Sequence, residues 1–142
     1  MIKVEQFNME HLNRFKLDCP LDNLWGNMAV NSMDPNKDIL TFIDDSGRIV
    51  ALGGLNHFRN GVAEVWIVRG AGINDNKLGF TKAVKRMLNH FIEYAALHRV
   101  ELAVSHNEPQ WKKWAETLGF KFEHVCEQYA KGIDHDIYVR IV

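Results

Sequence analysis

The stretch NEPQWKKWAETLGFKFE, Asn107 to Glu123, decides the fold. It predicts a strand exit, a short helix, a glycine stop and a new strand. The helix is expected over Pro109 to Leu118, with Trp111, Trp114, Ala115 and Leu118 as its apolar stripe. The three-residue spacing of the tryptophans argues for packing rather than for a stacking platform. Gly119 is the residue expected just past a helix C-terminus. Asn107 stands where it can cap this helix or bond across neighbouring strands.

Outward from there, the chain alternates between short strands and amphipathic helices. Val100 to Ser105 reads as the strand before Asn107. A long helix is expected over Gly79 to His98, with Phe80, Val84, Met87, Leu88, Phe91 and Ala95 as its buried stripe. Ahead of it, three strands run in succession: Ile39 to Ile43, Arg48 to Phe58 and Val62 to Val68. Asp44 to Gly47 and Arg59-Asn60-Gly61 are the turns between them. The third strand is apolar on both sides, as a central strand should be. Gly53-Gly54, inside the second, suggests a bulge or a close backbone neighbour. The chain starts with a strand, Ile2 to Phe7, and a helix, Met9 to Leu17, capped by Asn8. A second helix is expected over Leu21 to Val30 and a turn over Met33 to Asp38. Phe120 to Tyr129 and Ile133 to Val142 are two closing strands, the last of which is expected to be exposed and able to pair between copies.

The resulting order is β-α-α-β-β-β-α-β-α-β-β, an α/β chain with a mixed sheet. The long helix between Val68 and Val100 predicts a right-handed parallel crossover, with helices on both faces. The 142 residues suit a single domain, 1–142, and 46% of them are hydrophobic, enough for a sizeable core. A net charge of −1 gives no electrostatic case for nucleic acid or an anionic membrane. No apolar run approaches the roughly 20 residues needed to span a bilayer, and the start is too charged for a signal peptide. A soluble, cytoplasmic protein is expected. Cys19 and Cys126 match no metal or redox spacing and read as buried reduced thiols. The histidines show no metal-ligand pairing.

The element order, ending in NEPQWKKWAETLGFKFE, resembles the GNAT (Gcn5-related N-acetyltransferase) superfamily. In order and spacing the resemblance covers nearly the whole chain. In residues it is specific only in the second half, at Asn107 and Leu118-Gly119-Phe120, with Asn107 one residue further from the glycine than is usual. MIKVEQF, ALGGLNH, VWIV and the aromatic helix before Gly119 further resemble a divergent GNAT-like branch in short-tailed bacteriophages, typified by their small internal virion protein.

The resemblance implies acetyl-CoA as cofactor and an amine, small molecule or protein, as acceptor. The pantetheine arm would pair with the backbone of Trp66, Ile67 and Val68, where an N–H can hold the thioester oxygen as it gains charge. An ordinary buried strand would look the same. Asn107 would lie near the arm. The pyrophosphate needs free N–H groups at a helix start. Two registers offer them: Arg69-Gly70-Ala71-Gly72-Ile73-Asn74, and the preferred Asn74-Asp75-Asn76-Lys77-Leu78-Gly79. In the second only Gly79 matches, and Lys77 replaces a glycine that admits the phosphate. Lys77, Lys82 and Arg86 offer compensating charge, or form a solvated basic face; Asp75 opposes them.

For chemistry, Glu64 is the candidate general base, on one face of its strand with Trp66 and Val68. A glutamate paired with a nearby cation is the bland alternative. His57 and His106 are runners-up. The tyrosine that many family members use as the acid for the leaving thiolate is replaced by Ala115. Two functions stay open: an acetyl-CoA-dependent N-acyltransferase, and a catalytically degenerate phage protein, in the virion or the host cytoplasm, that keeps the fold to contact phage or host proteins. The geometric expectation for the first is that Val65–Val68 and Val100–Ser105 are parallel neighbours that diverge at their C-terminal ends.

Overall fold

The computed structural model describes residues 1–18 and 38–142. The expected helix over Leu21–Val30, the turn up to residue 37 and Cys19 lie outside the described residues. In order, the chain forms β1 (Lys3–Gln6), α1 (Met9–Asp18), β2 (Ile39–Ile43), β3 (Ile49–Arg59), β4 (Val62–Arg69), a 3-10 helix (Ala71–Asn76), α2 (Lys77–Tyr94), β5 (Arg99–Ser105), α3 (Pro109–Thr117), β6 (Lys121–Ala130) and β7 (Ile133–Ile141). The strands form one seven-stranded sheet in the order β1-β2-β3-β4-β5-β7-β6. It is mixed: β4 and β5 pair parallel, while β1–β2, β2–β3, β5–β7 and β6–β7 pair antiparallel.

The chain divides into two compact units, Met1–Leu55 with Ile67–Arg86, and Asn56–Trp66 with Met87–Val142. In the first, Ile2, Leu12, Phe15, Phe42, Ile49, Leu52 and Phe80 are buried. Phe42 and Phe80 meet edge to face at 5.1 Å, an arrangement that adds about 1 kcal/mol beyond area burial. Asn8 caps α1 as expected, its Oδ1 accepting the His11 N–H at 3.1 Å. The Asp44–Gly47 turn is held by Asp44, whose carboxylate accepts the Ser46 N–H and hydroxyl and the Arg48 N–H. Gly53 and Gly54 pair in regular register with Leu40 and Ile39; the irregularity in this pair of strands falls at Phe42/Ile43 instead. The glycines therefore mark no bulge against β2.

In the second unit, Val62, Ala63, Met87, Leu88, Phe91, Val100, Leu102 and Ile137 are buried. α3 ends in a Schellman motif: Gly119 N–H bonds Glu116 O, Phe120 N–H bonds Ala115 O, and Gly119 takes φ +90°. α2 ends at Tyr94, short of the expected His98, because Ala96 turns into the left-handed region at φ 48°. The helix cap expected of Asn107 is taken by Glu108. Trp111 and Trp114 are half-buried rather than core, and meet edge to face at 5.3 Å. Cys126 is a free thiol and half-buried, not buried.

One correction concerns the sheet edge. β7 is interior, paired with β5 on one side and β6 on the other. The edge at this end of the sheet is β6, exposed at seven of its ten residues. Chain order made the last strand look like the edge, but the closing hairpin inserts it inside.

Candidate active site

Strand β4 carries Glu64, Trp66, Ile67 and Val68 in that order. Its parallel ladder with β5 has three pairs: Val62↔Arg99, Ala63↔Val100 and Glu64↔Glu101. Both strands then run on, β4 to Arg69 and β5 to Ser105. β5 stays paired with β7 over its full length, to Ser105↔His135. The parallel pairing thus exists, but it lies earlier along β4 than the expected Val65–Val68. Glu64 is its last member. Ladder hydrogen bonds that stop while strands continue leave peptide groups available to another partner.

Glu64 is 8% exposed. The Tyr129 hydroxyl, from β6, donates to its Oε2 at 2.5 Å, and the Asn56 side chain of β3 bonds it as well. Burial pushes the Glu64 carboxyl above the ordinary glutamate range, against the lowering effect of these two donors; Glu101 on the neighbouring strand adds like charge. Burial, together with Glu64, also pushes the Tyr129 phenol far up, so it stays protonated. Glu64 therefore pairs with a phenol and an amide, not with the cation the bland reading required. Tyr129 escaped the sequence reading. The β6–β7 register shifts between Cys126 and Ala130, and Gln128 takes φ 52°, so two-residue alternation does not say where Tyr129 points.

The two runner-up histidines are elsewhere. His57 is exposed near the end of β3. His106, in the turn after β5, bonds through Nδ1 to the buried Asp136 at 2.7 Å, and Lys112 of α3 bonds the other Asp136 oxygen at 2.9 Å. Burial raises the Asp136 carboxyl, but His106 and Lys112 outweigh it and the net shift is downward. This trio ties α3 to β7. Asn107 is exposed in the same turn.

Residues Ala71–Asn76, which overlap each of the two phosphate-loop registers in part, form a 3-10 helix that leads directly into α2. The glycines of the first register face the protein's own groups. A Cβ on Gly72 would meet the Arg48 guanidinium at 2.5 Å, and one on Gly70 would meet Val50 O and the Phe15 ring at 2.9 Å. In the second register, Lys77 and Leu78 are exposed on the first turn of α2, and a Cβ on Gly79 would meet Ile2 at 3.3 Å. Lys77, Lys82 and Arg86 are exposed and have no ion-pair partner among the described residues. Asp75, which opposes them in sequence, pairs with Arg48 at 3.5 Å.

No helix among the described residues is long and apolar enough to cross a membrane. None of their His, Cys, Asp and Glu side chains cluster as a metal site. No protein-family model matches the chain, and no curated protein matches it in sequence. Solved structures match over almost its full length. A chimera of the Vibrio cholerae spermidine N-acetyltransferase SpeG with hSSAT superposes with a TM-score of 0.74 at 16% identity, covering 99% of this chain and 95% of the other. A GNAT-family acetyltransferase from Bacillus anthracis gives 0.77 at 14%, covering 99% and 94%. The ribosomal-protein-S5-alanine acetyltransferase from Vibrio fischeri gives 0.70 at 15%, covering 99% and 92%. The chain has the fold of the GNAT acetyltransferases.

Proposed function

We propose that this protein is an N-acyltransferase that moves an acetyl group from acetyl-CoA to an amine. The observation that carries this reading is the parallel β4–β5 ladder that stops at Glu64–Glu101 while both strands continue. Two of the similar structures are named for acetylation of spermidine and of an alanine, both amines.

The residues present fit the acyl-pantetheine end of acetyl-CoA better than its phosphates. Beyond Glu64 the β4 backbone at Trp66, Ile67 and Val68 is the edge offered to the arm, and Asn107 stands at the exit of β5. For the phosphates there is no glycine cradle, since Ala71–Asn76 is wound as helix. Lys77, Leu78 and Gly79, with the exposed charges of Lys77, Lys82 and Arg86, take that role by charge rather than by backbone enclosure. Bound acetyl-CoA supplies an activated thioester. The chain's own contribution is Glu64, a buried carboxylate whose raised basicity suits it to take the amine's proton.

Calorimetric titration with acetyl-CoA tests this. Ligand at about 100 times its dissociation constant adds about 2.7 kcal/mol of stability, a readable thermal shift. Micromolar binding, followed by turnover on an amine panel that is lost in Glu64→Gln, is expected. Absence of binding at millimolar cofactor overturns the reading.

The helical Ala71–Asn76 favours a second reading, a phage protein that keeps the fold for contacts with virion or host proteins. It predicts no acetyl-CoA-dependent thermal shift.

A further inference from the structure

Tyr129 has no part in the roles assigned above, yet its hydroxyl donates directly to Glu64. We infer that Tyr129 is a positioning residue: it comes over the sheet from the closing hairpin to hold the Glu64 carboxylate in place and in its charged form. The inference rests on the acyltransferase reading, in which Glu64 is the base, and adds the residue that readies that base.

Sheet order makes this bond a long reach. β6 stands three places from β4, with β5 and β7 between them. At about 4.8 Å per strand that is about 14 Å, and side chains stand nearly upright on a sheet. In a flat sheet the phenol would miss the carboxylate. The end of the hairpin therefore folds back over the sheet, and the register says over which face. Glu64 pairs with Glu101 and Glu101 with Val139, while His135 lies four residues from Val139 on the same strand. These four side chains share one face. The Tyr129 ring lies against the His135 ring at 4.7 Å, and its hydroxyl reaches Glu64 Oε2 at 2.5 Å.

The fold-back is built into the hairpin. The β6–β7 register breaks between Cys126 and Ala130, and such a break bends a strand. Inside it Gln128 takes φ 52°, a strained conformation for a residue with a side chain. Two bonds hold it there: Gln128 N–H donates to Asp134 Oδ1 at 2.9 Å, and Gly132 N–H donates to Gln128 Oε1 at 3.1 Å.

What the bond does follows from its donor. An O–H bonded to a carboxylate favours the charged form, whereas burial and the like charge of Glu101 on β5 favour the neutral one. Asn56 of β3 is a second donor. Tyr129 remains a donor because burial, together with Glu64, pushes its phenol far up. A buried base must still ionise to accept the amine's proton, and Tyr129 works in that direction.

The test is Tyr129→Phe, which keeps the ring and removes only the hydroxyl. Carbon NMR of the Glu64 carboxyl should show its titration moving to higher pH, since a donor to the ionised form is gone. In the pH–rate profile with an amine acceptor, kcat/KM is expected to fall about tenfold on the acid limb, the scale of one charge-assisted hydrogen bond, and to stay within about threefold of wild type on the high-pH plateau. KM for acetyl-CoA is expected to stay unchanged. A bond that only braced the fold would lower the rate equally at every pH. Asp134→Ala keeps the phenol and loosens the bend; it is expected to move the Glu64 titration in the same direction by less, and it decides the matter where Tyr129→Phe does not fold. An unmoved Glu64 titration, or a rate loss equal across pH, overturns the positioning role while leaving an active wild type an acyltransferase. If wild type binds no acetyl-CoA, the acyltransferase reading fails and takes the catalytic role of the bond with it.

Discussion

Glu64 is a buried carboxyl with two donors and, among the described residues, no cation paired with it, and that arrangement has a thermodynamic signature. Its folded pKa lies above the unfolded value of about 4.5, so the folded state favours the protonated form. The associated stability is present below that unfolded value and is lost as pH rises through the folded pKa. Glu64→Gln removes the charge while leaving an oxygen for Tyr129. At pH 7 this variant is expected to melt no lower than wild type, and the relative gain should vanish near pH 4. Thermal melts at both pH values check it; a Glu64→Gln protein melting several degrees lower at pH 7 would contradict the burial cost. Asp44 shows the opposite sign. The Ser46 hydroxyl and the Arg48 and Ser46 donors, working against burial, hold its carboxyl down at about 2. Its stability is present above the ordinary aspartate pKa and is lost as pH falls toward 2. Asp44→Asn is expected to cost about 1–2 kcal/mol at neutral pH, with the difference from wild type shrinking between about pH 4 and 2 in denaturant titrations. At this scale the sequence is half legible. The place of Glu64 on β4, two residues from Trp66, was readable from strand alternation. Tyr129 was not, because it depends on a left-handed residue that composition cannot announce.

Elements were readable where local chemistry sets their ends. Gly119 gave the stop of α3 and Asp44–Gly47 the β2–β3 turn, since each is written in residues with few alternatives. Elements that depend on tertiary pairing were less so. β7 looked like an edge and is interior; Gly53-Gly54 suggested a bulge or a close backbone neighbour and pairs regularly with β2; Ala71–Asn76 looked like an open loop and is helical. Pairing partners come from distant sequence, so no local pattern encodes them. The β3–β4 turn offers a sharp test of local chemistry. Gly61 takes φ 77°, and a Cβ there would lie 2.4 Å from the His98 ring. Gly61→Ala is expected to destabilise by more than about 1 kcal/mol, because strain and crowding add. Gly47, also left-handed but with nothing within 4 Å of an added Cβ, serves as the control. Equal losses at the two sites in urea unfolding would mean that the His98 contact contributes nothing.

For the whole chain, the nearly balanced charge matters most. With 17 Lys and Arg, 18 Asp and Glu and a pI near 6.6, the protein carries little net repulsion near neutrality. Its exposed edge β6 includes Phe122 at 53% and Val125 at 42% exposure. Light scattering should therefore show greatest self-association near pH 6.6 and a clear fall by pH 8.5. A flat profile would mean that β6 is already blunted by Lys121, Glu123 and Glu127. The α/β class, the β2–β3–β4 succession and the parallel crossover to β5 were legible at this scale from periodicity and turns. The places of β1 and of the last two strands were not.

The Gln128 kink has a consequence for engineering. The contacts that fix it, Asp134 and Gly132, lie within six residues of it in sequence, all inside the closing hairpin. What touches Glu64 is thus set by a short cassette, not by the strands that carry the ladder. Swapping residues 128–134 for loops of other length would redirect the side chain over the carboxylate while leaving β4 and β5 untouched. The surroundings of the Glu64 carboxylate are thus expected to be exchangeable as a module.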